Sequence, residues 1–524
     1  MKIRLSTICF ALLSLVLFVG CPPTEKIQKN QADPNSSETV VEDPKTSETP
    51  PSIPGIPSGT PDVLSFGPAA SPETPPAAET SPQVLPIAPE PAVTPEPAVT
   101  PEPAVTPAAP QPPQETPDEA AVRERVEELG GTVRKNSVGR IIGLIIEHND
   151  WTIEDMKKVA KLSDLESIRL QGPSITDEYV AALAGLTKMK SVDIENSTIT
   201  DRSLEILKAL PNIDTLGLRR NVELTDRAVE IFAEFPNLKV LRILFNGFTE
   251  MSLFDLEKSK LLRVLDLRGL PVSNDTLLFL SSLEHLEDLY IRSSSVTNTG
   301  VAELTKCKKL KTLELQDAGI SPGCGESFKR MENLRYLRIF RCSGLGAQGI
   351  SELGDLTQLN RLELRDLSCS NEALLALKPL AGLKIVEFSE LSGVDSPTVV
   401  EVLTSYPLLE NVKIFAIPVD DTVPKFLATL PAMTTITLAA TAITDKGLDA
   451  LTALEKLTAL DIHGNKERIT VEGAKVLGKL KNLRRLTIPE TLDTPEVRTE
   501  VLKNSPNCEF VINTYTQGMV TVSP

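Results

Sequence analysis

Chemistry near neutral pH usually needs a histidine, a reactive thiol or a convergent pair of carboxylates. This chain supplies few of these. Its three histidines, His148, His285 and His463, lie far apart in the sequence. No HExxH, no GxSxG and no phosphate-cradling glycine loop occurs. The seven cysteines include no CxxC pair, so a zinc site is not expected, and their scatter suggests no disulfide framework. The expectation is a protein that is not an enzyme and carries no cofactor and no metal. Residues suited to binding are far more regular. Arg219, Arg242, Arg268, Tyr290, Arg292, Tyr336, Arg338, Phe340, Arg361 and Arg365 recur in columns about two dozen positions apart. Arginine and aromatic side chains dominate binding hot spots, which makes this set the candidate ligand-binding surface. The same columns carry Asp266, Asp288, Glu314 and Glu363, so the competing expectation is a ladder of internal ion pairs.

Those columns exist because the chain repeats. From Leu286 the apolar skeleton runs Leu286, Leu289, Ile291, then Val296, then Val301, Leu304 and Cys307, and begins again at Leu310. The first three alternate as in a strand with one buried face; the last three recur as in a short helix. Strand-opening positions fall at Ile141, Leu165, Met189, Ile213, Leu238, Leu262, Leu286, Leu310, Leu334, Leu359, Leu383, Leu409, Met433, Leu457 and Leu483. That is fifteen copies, spaced by 24 to 26 residues. The few apolar side chains of one copy cannot offset the entropy of ordering two dozen backbones, so the unit is expected to be stable only when stacked. Strand residues between the buried ones point to the opposite face, and the arginine and tyrosine columns occupy those positions.

The LxxLxL pattern resembles that of leucine-rich repeat proteins, in particular the ribonuclease-inhibitor-like and cysteine-containing types, over about residues 121–512. The resemblance implies an α/β solenoid, a horseshoe with a parallel sheet on the concave side and short helices on the convex side. It also implies a ninth repeat position whose Asn or Cys side chain bonds backbone groups of the turn. Asn149, Asn221, Asn246, Asn465 and Cys342 stand there, while other copies carry residues such as Ser197, Ala318, Leu367 or Thr441. Several copies share a Thr-Asp step into the helix, at Thr176-Asp177, Thr200-Asp201, Thr225-Asp226 and Thr444-Asp445, suited to helix N-caps.

The amino terminus reads differently. Lys2 and Arg4 precede an apolar run, Ile8 to Val19, which is short for a bilayer span and ends in Phe18-Val19-Gly20-Cys21. This resembles a bacterial lipoprotein signal, which implies lipidation at Cys21 and attachment to a membrane of the cell envelope, the outer membrane or cell surface favoured. Residues 22–117 hold 26 of the 41 prolines and three tandem EPAVTP copies between Glu90 and Pro107, the composition of an extended linker. Residues 22–119 contain fifteen acids and three lysines, so most of the net charge of −17 is there, and nothing in the balance points to nucleic acid. The expected layout is a signal at 1–21, a linker at 22–117 and an amino-terminal cap at 118–140. Repeats follow at 141–496, then a carboxy-terminal cap and tail at 497–524. Two classes of function fit. One is an envelope-tethered module binding a protein, peptide or glycan; the other is a structural or adhesin-like spacer.

Overall fold

The computed structural model describes residues 115–147, 150–465 and 467–513. Cys21 with its signal, the linker up to residue 114, His148, Asn149 and the tail from residue 514 lie outside the described residues. The described residues all belong to one compact unit, Pro103–Pro524.

Its backbone is one unclosed sheet of seventeen strands. In chain order these are β1 (Thr132–Lys135), β2 (Ile141–Ile146), β3 (Ser167–Gln171), β4 (Ser191–Glu195), β5 (Thr215–Arg219) and β6 (Val240–Leu244). Next come β7 (Val264–Asp266), β8 (Asp288–Arg292), β9 (Thr312–Gln316), β10 (Tyr336–Phe340), β11 (Arg361–Ser368) and β12 (Ile385–Ser392). The last are β13 (Asn411–Phe415), β14 (Thr435–Ala439), β15 (Ala459–Asp461), β16 (Arg485–Pro489) and β17 (Glu509–Asn513). Strands β2 to β17 pair in parallel with their neighbours in sequence, and the register never slips by a residue. Leu241, Leu265, Leu289, Leu313, Leu337 and Leu362 stand side by side across six strands. A one-residue slip would turn every leucine outward, which is why the leucine pattern fixes the register.

Between strands the chain crosses one face of the sheet through a short helix, such as Asp201–Lys208 or Ser396–Leu403. Each helix buries one stripe, Leu204 and Leu207 in the first, Val399, Val402 and Leu403 in the second. These meet the strand leucines in one continuous core running the length of the array. The fold is an α/β leucine-rich repeat solenoid.

Two polar ladders fasten coil to coil. At the ninth position, Asn221 Nδ2 donates to the Ile194 carbonyl at 3.0 Å, and its Oδ1 accepts from Ser197 Oγ of the preceding coil at 2.7 Å. Asn246 and Asn465 repeat the pattern, and the Cys342 thiol reaches the Leu315 carbonyl at 3.5 Å. The second ladder refines the expectation for the Thr-Asp step. The threonine is the N-cap at Thr176, Thr200 and Thr444. The aspartate after it serves the next coil instead. Asp177 accepts from Thr200 N and Oγ1 at 2.9 and 2.7 Å, Asp201 from Thr225, Asp226 from Thr249, Asp421 from Thr444 and Asp445 from Thr470.

The two ends differ. At the amino-terminal end, the helix Pro117–Glu128 starts with a capping box between Thr116 and Glu119. The same Glu119 is buried, accepts from Ile141 N and pairs with Arg140 at 3.1 Å. The charged strand β1 then closes the sheet edge by running antiparallel to β2. At the other end Val497 and Val501 of the helix Pro495–Asn504 are buried, whereas Leu502 is 37% exposed. β17 is a sixteenth parallel strand, within the stretch assigned above to the carboxy-terminal cap.

Candidate binding face

Strand residues at the second, fourth and sixth positions after each opening residue point away from the helices. The parallel register lines them into columns. The central column reads Arg242, Asp266, Tyr290, Glu314, Arg338, Glu363, Glu387 and Lys413 from β6 to β13. Beside it stand Arg292, Gln316, Phe340, Arg365, Ser389 and Phe415, and on its other side Asp288, Thr312, Tyr336 and Arg361. The sheet therefore gathers the ten residues named from sequence onto one face.

On that face the arginines are paired in depth. Asp266, Glu314 and Glu363 are buried and form a floor. Arg268 lies over it, donating to Asp266 at 2.7 Å and to Glu314 at 3.1 Å. Arg338 contacts Glu314 and Glu363, each at 3.3 Å. Arg361 Nε donates to Glu363 at 2.7 Å, and the Tyr336 hydroxyl donates to the same carboxylate at 3.0 Å. Further out, Arg292 and Arg341 share Asp317, each at 2.6 Å; Arg219 meets Glu195 at 3.1 Å and Arg365 meets Glu390 at 2.9 Å. The internally paired ladder is thus what the side chains form. It leaves the guanidiniums outermost: their side chains are 23–40% exposed at Arg338, Arg268, Arg365, Arg361 and Arg292, against 4–5% for the floor carboxylates.

Aromatic rings sit between these charges. Arg361 lies 4.1 Å from the centre of the Tyr336 ring, and Phe340 is approached by Arg341 at 4.4 Å and Arg365 at 4.7 Å. Arg268 stacks on Tyr290 at 5.6 Å. Such contacts hold a guanidinium in place while its outer N–H groups stay free.

Sequence reasoning missed a further column. In nine coils the seventh residue after the opening position adopts left-handed backbone, with φ of 51–54° at Asn196, Arg220, Phe245, Asp317, Arg341, Asp366, Glu390, Ala416 and Ala440. Its N–H bonds the next strand, as Arg220 N does the Leu244 carbonyl and Arg341 N the Arg365 carbonyl, both at 3.0 Å. This turn brings Arg220, Phe245, Asp317, Arg341 and Glu390 onto the face. No glycine marks it in those coils, so the sequence gives no local signal; only the repeat count identifies it.

One part of the face is not paired. Arg242 is exposed and, among the described residues, has no carboxylate within ion-pair distance. Two strands away Asp193 has a single long hydrogen bond, from Ser191 Oγ at 3.5 Å, and burial pushes its carboxyl above the usual range. Gly217 lies between them, and a Cβ there would fall 1.9 Å from Asp193 Oδ1. The missing side chain lets the carboxylate lie flat across β5.

Groups that could do chemistry are buried or scattered. His463 bonds Asp461 at 2.6 Å and His285 meets Lys309 at 2.7 Å, in coils far apart. Cys307, Cys342, Cys369 and Cys508 are buried, and burial pushes their thiols up to about 11. Cys324 is buried too, and its thiol is pushed up to about 12. Among the described residues no three metal-binding side chains converge.

Solved structures that resemble this chain include the following two. One is an internalin from Listeria monocytogenes, 20% identical, covering 66% of this chain and 96% of its own, with a TM-score of 0.40. The other is a leucine-rich repeat protein of Leptospira interrogans, 18% identical, covering 68% of this chain and 91% of its own, with a TM-score of 0.33. No protein-family model matches the chain, and no curated protein does.

Proposed function

We propose that the chain is a non-catalytic, envelope-tethered binding protein whose helix-free sheet face engages a protein partner. The observation that carries this reading is the guanidinium layer from β5 to β11, held by buried carboxylates and aromatic rings and presenting free N–H donors outward. Preorganised arginines of this kind lose little side-chain entropy on binding. A glycan is less well served, because the rings that would stack on a sugar already lie under guanidiniums. Tethering is proposed from the amino-terminal sequence: the short apolar run before Cys21 and the proline-rich segment after it suit a lipid anchor on a long leash.

The test is capture of partners from envelope extracts with the full-length protein and with an Arg242→Glu, Arg361→Ala variant. One saturable protein lost with the variant is the expected result. A partner set unaffected by the substitutions removes the face from the account. For the anchor, the expectation is that Cys21→Ser abolishes acyl labelling and membrane partitioning.

A further inference from the structure

Resting on that reading of the face, the vertical order of its charges says more about the partner. Nine guanidiniums stand on β5 to β11 and the turns that follow: Arg219, Arg220, Arg242, Arg268, Arg292, Arg338, Arg341, Arg361 and Arg365. Of the acids among them, Asp266, Glu314 and Glu363 are sunk beneath, which leaves Asp288, Asp317 and Asp366 nearer the surface. A guanidinium has five N–H donors and no acceptor. Once its inner N–H groups are spent on the floor, what remains asks for acceptors and negative charge. The same surface carries partly exposed apolar groups, Leu244 and Phe245 at one end and Phe340 near the other. Seven strands at roughly 4.8 Å spacing span about 29 Å, the length of an extended segment of about nine residues.

We propose that the face from β5 to β11 receives an extended acidic segment of a protein partner, with apolar side chains interspersed among its carboxylates. The carboxylates dock on the outward N–H groups, most freely at Arg242, which forms no ion pair among the described residues, while Leu244 and the parts of Phe245 and Phe340 that their guanidiniums leave exposed take the apolar side chains. A sulfated or uronic glycan would satisfy the charges but leave the apolar positions unused.

The test is a display library of random ten-residue peptides panned on the full-length protein, with counter-selection on an Arg242→Glu, Arg292→Gln variant. Arg242 is exposed and unpaired and Arg292 pairs only at the surface, so the variant keeps the fold, checked by circular dichroism. Selected peptides are expected to be rich in Asp and Glu with Leu or Phe between them. They should bind about tenfold or more weakly to the variant and weaken as salt is raised. Face-dependent peptides that are basic or uncharged would overturn the acidic assignment and leave the protein-binding face standing. Face-dependent binding of heparin with no peptide selected would overturn it in favour of a polyanionic glycan. Binders indifferent to the variant would overturn both this proposal and the function it rests on.

Discussion

At the scale of single residues, the face is a set of charges whose depth decides their worth. Glu314 is buried and receives both Arg268 and Arg338, so Glu314→Gln takes from each of two half-buried guanidiniums one of its two carboxylate partners. Loss of about 3 kcal/mol is expected by denaturant titration. Asp193 runs the other way. Its folded pKa lies above its unfolded value, so folding takes up a proton between the two and stability falls as pH rises through that interval. Asp193→Asn should therefore raise the melting temperature at neutral pH, and the gain should vanish below about pH 3.8, where the unfolded carboxyl is protonated too. Equal gains at both pH values would contradict a desolvated carboxylate. Asp317 has the opposite sign. Hydrogen bonds from Arg341 and Arg292 outweigh burial and hold its carboxyl low, so what it contributes is present above its unfolded pKa and lost as pH falls through the folded one. The arginine columns were legible in the sequence because alternation fixes which side of a strand a residue faces. Depth was not, since the sinking of Glu314 and the outward reach of Arg268 depend on packing between strands that alternation does not encode.

At the scale of elements, a coil such as that of Ala440 is closed by a left-handed residue seven positions after its opening residue and by a cap shared with the next coil. A non-glycine residue in left-handed backbone costs on the order of 1 kcal/mol. Ala440, with φ of 51°, carries no side chain needed elsewhere, so Ala440→Gly is expected to stabilise by about that amount and Ala440→Val to destabilise, read by thermal unfolding. Asp177 shows what the shared cap contributes. Burial pushes its carboxyl up, but hydrogen bonds from Ser203 and Thr200 outweigh that and hold it below the usual range. Asp177→Ala should cost about 1–3 kcal/mol, and the difference from wild type should shrink as pH falls through the folded pKa. The Thr-Asp step was visible as a cap, but not the direction of its aspartate, because an inter-coil bond needs the stacking distance as well as the motif. β17 escaped for a plainer reason: its opening position is Asn507, a polar residue where other coils have leucine, isoleucine or methionine.

At the scale of the molecule, sixteen parallel strands share one core, and a linear array can open from its ends. The buried thiols report on this. Cys508 sits in the terminal coil, whereas Cys307, Cys324 and Cys342 lie near the middle. A thiol reagent under native conditions should label Cys508 first and the central three only at the rate of global unfolding. Prompt labelling of Cys324 would show that the core is looser than the side-chain packing implies. On the proposed reading, the array supplies length and register and the face from β5 to β11 supplies specificity. The most direct measurement is site-directed photo-crosslinking of the full-length protein in the cells that produce it, with the reactive group placed at Phe340 on the sheet face or at Leu278 on the helix face. A single protein adduct from position 340 and none from 278 is the predicted result. Adducts from 278 alone, or identical adducts from both, would contradict it.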